Sequence, residues 1–183
     1  MPYAYTNRHG VTFYLHAGRG SGEPFVFRQA IREGALDAIP EGFQVFEDPN
    51  GRVHLVLEPD DLVTEAHAQL VRSALQATAY AEYRVEVVED VIVILQPDWT
   101  RADLARILGR PPASLTADEI HNHTHYAPIM RLEPSLADDG HFSVVRMEFD
   151  PIPGWSEPLL EGPLPQVATY LVSLLRDALS FDF

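Results

Sequence analysis

The run Tyr83-Arg84-Val85-Glu86-Val87-Val88-Glu89-Asp90-Val91-Ile92-Val93-Ile94-Leu95-Gln96 decides the fold. Tyr83–Glu89 and Val91–Gln96 are rich in β-branched residues and read as two strands. Val91-Ile92-Val93-Ile94-Leu95 is apolar at every position, so neither of its faces suits water and it belongs inside a sheet. Upstream the period changes. Across Pro59–Glu82, Leu62, Val63, Ala66, Leu70, Ala74 and Leu75 recur at helical spacing with acids in the first turn, which predicts the longest helix of the chain. Downstream, Thr100–Leu108 predicts a helix capped by Thr100 and stopped by Gly109-Arg110-Pro111-Pro112. Thr116-Ala117-Asp118-Glu119 is a capping box that should open another short helix. Tyr126–Glu133 and His141–Phe149 read as strands around Ala137-Asp138-Asp139-Gly140. Asp150–Pro165 holds five prolines and reads as a loop, and Gln166–Leu179 as a final helix with Val167, Leu171, Leu174, Leu175 and Ala178 on one stripe. The order is helix, then strand–strand–helix twice. It predicts an α+β fold: a four- or five-stranded, mostly antiparallel sheet with helices on one face.

The first 57 residues read differently, as a small all-β module, with residues 58–183 forming the α+β domain. Val11–Ala17 and Pro24–Arg28 flank Gly18-Arg19-Gly20-Ser21-Gly22 as a hairpin. Phe43–Glu47 and Arg52–Leu57 flank Asp48-Pro49-Asn50-Gly51, where Asn-Gly supplies a tight turn. Between the hairpins, Ala30–Ala38 is expected to form a short helix ended by Ile39-Pro40-Glu41-Gly42.

The module carries a resemblance. Thr6-Asn7-Arg8, Gly10, Thr12-Phe13-Tyr14-Leu15-His16 and Gly18, then Gly22, Pro24 and Phe27, then Ile39-Pro40-Glu41-Gly42-Phe43 and Pro49-Asn50-Gly51 with Val53, resemble the opening of a set of uncharacterised bacterial proteins. The likeness covers roughly the first 55 residues. It implies a recurring β-module and assigns no activity, so no site residue follows from it.

Composition removes whole classes of chemistry. There is no Cys, hence no disulfide, thiolate metal site or cysteine nucleophile. All 13 basic residues are Arg, which removes the P-loop lysine and every Schiff-base mechanism. The net charge of −14 opposes binding of the whole chain to nucleic acid or anionic membranes. No run reaches the roughly 18 apolar residues of a spanning helix. With no signal-like segment at Met1–Arg8, the expectation is a cytoplasmic protein without membrane contact, and the Asn122-His123-Thr124 sequon reads as chance.

Three constellations hold chemistry. His121, His123 and His125 alternate beside Asp118 and Glu119, and imidazole suits Zn, Ni or Mn. On a strand the outer two lie ~13 Å apart, and on a helix His121 and His125 share one face. Either way two ligands are offered and a third must come from elsewhere, with His67, His141, Glu119 and Asp118 the candidates by type. Second, residues 1–32 carry four Arg against Glu23 alone. There Arg8, Arg19 and Arg28, interleaved with Tyr14 and other aromatics, would suit a protein partner with an acidic face or single-stranded nucleic acid. Third, Gly18–Gly22 could cradle a phosphate, although a strand and not a helix follows it, and Ser21 lacks a nucleophile elbow. The pairs Asp60-Asp61, Glu89-Asp90 and Asp138-Asp139 read as caps and turns, and Ser180-Phe181-Asp182-Phe183 as a helix end. Trp99 reads as core and Trp155 as loop packing.

The expected function is that of a non-enzymatic protein-binding or adaptor module, including self-association through an apolar sheet edge. One alternative is a metal-dependent, hydrolase-like enzyme on His121, His123 and His125. The other is nucleic-acid binding through the N-terminal hairpin.

Overall fold

The computed structural model describes residues 1–18, 24–58, 62–148 and 153–179, apart from the side chains at positions 121 and 177–179. The chain divides into two compact units, residues 1–58 and 59–183.

In the first unit, β1 (Ala4–Thr6), β2 (Thr12–Ala17) and β3 (Phe25–Arg28) form an antiparallel sheet in that order, and β4 (Phe43–Glu47) pairs with β5 (Val53–Leu57) as a hairpin. Phe25 meets Phe43 edge-on at 5.2 Å, so an aromatic contact joins the two hairpins. The helix expected over Ala30–Ala38 is absent. Gly34 at φ +84° interrupts the helical path. The segment instead lies along β2: Ala17 N–H donates to Gly34 O (2.9 Å) and Leu36 N–H to Leu15 O (2.9 Å). His16, buried beneath it, accepts the Arg32 N–H at Nε2 (3.0 Å). That bond requires the tautomer whose Nδ1–H donates to Tyr14 O (2.9 Å).

The second unit is α+β. Its sheet has six strands, all paired antiparallel, in the order β10 (Gly154–Trp155), β9 (His141–Glu148), β8 (Tyr126–Pro134), β7 (Val91–Pro97), β6 (Arg84–Val88). The short β11 (Leu160–Pro163) also lies along β9. Both β10 and β11 fall in the proline-rich segment expected to be a loop; backbone pairing to β9 outweighs the prolines, which at such edge positions forfeit little. The β7 run is flanked on both sides, by β6 and β8, and buries Ile92, Ile94 and Leu95.

Two helices, α1 (Glu65–Gln76) and α4 (Leu164–Leu179), cover one sheet face. Ala68, Val71 and Leu75 of α1 and Val167, Leu171 and Leu175 of α4 close a core over Ile92, Ile94, Met130, Leu132, Phe142 and Val144. The helix expected over Pro59–Glu82 is shorter at both ends, and α4 is the longer of the two. Its buried stripe is also rotated: Val63, Ala68, Val71 and Leu75 face inward, while Leu62 and Ala66 are exposed. Two further helices, α2 (Arg101–Ile107) and α3 (Ala117–His123), pack on a small cluster of their own, Leu104, Ala105, Leu115 and Ile120. On the opposite sheet face, Arg131 places its guanidinium 4.5 Å over the Trp155 ring and pairs with Glu133. Trp155 is therefore a strand residue stacked on an arginine.

Candidate functional site

The histidine segment sits where α3 hands the chain to β8. Thr116 caps α3 by accepting from Glu119 N–H (3.2 Å), while the Glu119 carboxylate accepts from Thr116 N–H (2.9 Å). Arg110 adds an ion pair to Glu119 at 2.5 Å. That pair and the Thr116 contacts bring the Glu119 carboxyl down to about 2. The helix then stops at His123, with Thr124 extended and buried. Neither geometry expected for the histidines occurs. Positions 121 and 123 lie in the helix, where residues two apart do not face each other, and His125 lies beyond it. Among the described residues no group of three His, Cys, Asp or Glu side chains gathers at metal distance.

The remaining ligand candidates are occupied or distant. Glu119 is held by its cap and Arg110. His67 caps α1, its Nδ1 accepting Thr64 N–H at 3.3 Å, and stacks edge-on against Phe142. His141 opens β9 beside Pro163, and its neighbour Phe142 pairs with Pro134 at the end of β8. That end is about 26 Å along the strand from Tyr126, so neither His67 nor His141 reaches His125.

What the handover does build is a cleft. Tyr126 pairs with Pro97 at the ends of β8 and β7. One step on, Asp98 and His125 clasp each other: His125 N–H donates to Asp98 Oδ1 and Asp98 N–H to His125 O, both at 2.9 Å. Trp99 follows. Because it immediately precedes the cap residue Thr100, its side chain belongs to the helix approach, and it is 41% exposed where the sequence suggests core. Trp99, Pro97, Tyr126, Ile120, Glu82 and Arg101 line a cleft of about 230 Å³. A second cleft of about 300 Å³ shares Pro97 and Tyr126 with it and continues past Asp98 and His125.

The cleft walls are fixed by specific bonds. Arg101 N–H donates to Glu82 Oε2 (2.8 Å), and the Arg101 guanidinium donates to Leu115 O (3.2 Å), joining α2 to the segment before α3. The Arg84 guanidinium covers the Tyr126 ring at 4.5 Å. The groove therefore offers aromatic and proline surface between carboxylates, Glu82 and Asp98, with the exposed His125 lining its second part. Such a lining can hold an apolar or aromatic anchor and a neighbouring cation.

The N-terminal candidates are dispersed. Arg8 is engaged: its Nε meets Glu47 at 2.5 Å and its backbone N–H donates to the same carboxylate at 3.0 Å. Tyr5 OH donates to the other oxygen at 3.0 Å. Burial pushes the Glu47 carboxyl up, but the Arg8 and Tyr5 bonds outweigh it and the net direction is downward. Arg8 is thus part of a clamp between β2 and β4 hairpins. Tyr14 and Arg28 stand opposite each other in the β2–β3 ladder, on one face. Of the glycine loop Gly18 is described, its N–H donating to Pro24 O (2.7 Å), while Arg19, Gly20, Ser21 and Gly22 lie outside the described residues, as do Asp60, Asp61 and Ser180–Phe183.

Compared with known proteins, the chain matches no family model, no curated protein and no solved structure.

Proposed function

We propose that the protein is a non-enzymatic binding module that takes an extended segment of a partner protein into the Trp99–Tyr126 cleft. The observation that carries this is the half-exposed Trp99, held beside Pro97, Ile120 and Tyr126 by a capped helix and a strand end. Tryptophan and tyrosine in a fixed apolar groove are the side chains that dominate interface energies. Charge specifies the occupant further. Residues 59–183 carry 8 Arg against 20 acids, a net −12, and Glu82 and Asp98 stand at the groove itself. The favoured segment therefore has an aromatic or aliphatic anchor next to an arginine or lysine.

Peptides selected from a displayed random library on the full chain test this. They should share that anchor-plus-cation pattern and lose about tenfold or more in affinity for Trp99→Ala, the scale of a truncated aromatic anchor. Peptides that bind Trp99→Ala as well as the native chain would sink the reading.

The metal reading keeps His121, His123 and His125, with Asp98 hydrogen-bonded to the His125 backbone. Elemental analysis of untagged protein purified without nickel separates it: metal near one equivalent, lost in His123→Ala/His125→Ala, would favour an enzyme. The nucleic-acid reading keeps Arg28 and Tyr14, with Arg19 in the adjoining loop. A salt-dependent shift with single-stranded DNA, abolished by Arg28→Ala, is its signature.

A further inference from the structure

Strand β6 ends the six-stranded sheet, and among the described residues no strand lies beyond it. The Val85 carbonyl faces that open side, because it accepts two bonds from the Arg72 guanidinium, Nη2 at 2.8 Å and Nε at 3.1 Å. Antiparallel pairing alternates, so the Val87 N–H and C=O face the same way. Beside the edge, between β6 and α1, runs a cleft of about 230 Å³ lined in part by Arg72, Gln76, Tyr83, Arg84 and Glu86. Among the described residues the edge is capped at the Val85 carbonyl by the Arg72 side chain, and no strand pairs with it there.

We propose that β6 is the pairing edge of a homodimer, in which a second copy of this chain adds its own β6 antiparallel and the two sheets become continuous. A two-fold axis at Val85 makes the edge self-complementary. Val85 exchanges both backbone bonds with Val85 of the partner subunit, and Arg84 lies across from Glu86 of the partner subunit, twice by symmetry. Arg84 and Glu86 already make contacts within the chain, Arg84 on the Tyr126 ring; the dimer gives each a second partner. The neighbouring register, centred on Glu86, sets two glutamates face to face and is disfavoured. Arg72, which also pairs with Glu65, yields the Val85 carbonyl to the incoming N–H and keeps the edge satisfied in the monomer. Arg84 also covers the Tyr126 ring of the Trp99 cleft, so Glu86→Arg is the variant that tells failure of this edge apart from failure of that reading.

Charge exchange on the full chain tests it by sedimentation equilibrium. Native protein should show a concentration-dependent dimer between micromolar and millimolar. Arg84→Glu and Glu86→Arg should each weaken it about tenfold or more, since each turns two attractive cross-strand pairs into repulsive ones. An equimolar mixture of the two variants should recover the dimer, because the altered charges complement each other across the axis. Circular dichroism melting of each variant shows whether it is folded, and the mixture supplies the answer even if one is less stable. A monomeric native mass over the whole range overturns the proposal, as does a dimer that neither variant weakens or a mixture no tighter than its components.

Discussion

Glu47 carries the N-terminal unit at the scale of a single residue. Its two oxygens take three donors from the first hairpin, Tyr5 OH, Arg8 N–H and Arg8 Nε, so one carboxylate fastens β4 to the β1–β2 turn. Hydrogen bonds to a charged group are worth roughly 1.5–3 kcal/mol each way of counting, and Glu47→Gln should cost about 2 kcal/mol in urea unfolding. The sign of the pH effect follows from the downward shift. The clamp contributes fully above the ordinary glutamate range and is lost as pH falls through the lower folded value. The stability gap between native protein and Glu47→Gln should therefore close on acidification; a gap that widens in acid would contradict the clamp. Gly51 is the second such residue. It sits at φ +77°, its carbonyl accepts Asn7 Nδ2 at 2.7 Å, and a Cβ there would overlap the His9 ring. Gly51→Ala should destabilise by about 1–3 kcal/mol, read as a lower melting temperature, whereas a neutral outcome would show that the turn is not held against Asn7 and His9.

Elements were legible in proportion to how local their causes are. The Thr100 and Thr116 capping boxes, the Asn50-Gly51 turn and the β6–β7 pair all form where the sequence places them, because each is decided by residues within a few positions. Thr116→Ala should accordingly cost about 1 kcal/mol and loosen α3, seen as faster amide exchange over Ala117–His123; unchanged exchange would mean the Arg110–Glu119 pair alone holds the helix. The misread elements answer to distant partners. Ala30–Ala38 has helical composition, but Leu15, His16 and Ala17 of β2 claim its backbone. β10 and β11 exist only because β9 offers an edge. In α1 the periodicity was visible but its phase was not, since Leu62 and Val63 are equally apolar and only the sheet selects which is buried. The same limit applies to the site. His121, His123 and His125 stand out as letters, yet the cleft beside them is made by Trp99, Pro97 and Glu82 from other elements, and the one local hint was that Trp99 precedes a helix cap.

At the scale of the whole molecule, two surfaces of the second unit carry the proposals: the Trp99 cleft for a partner segment and the β6 edge for a second copy. No helix among the described residues is long and apolar enough to cross a membrane. The two tryptophans make the central claim directly readable. Trp99 lines the cleft, while Trp155 is stacked on Arg131 on the sheet face opposite α1 and α4. Each gives one indole N–H resonance in a ¹⁵N-labelled sample, assigned by Trp99→Phe and Trp155→Phe. Titrated with a library-selected peptide, the Trp99 indole signal should shift to saturation while that of Trp155 stays in place. A shift of Trp155 with Trp99 unmoved, or saturation binding that moves neither, would contradict the account.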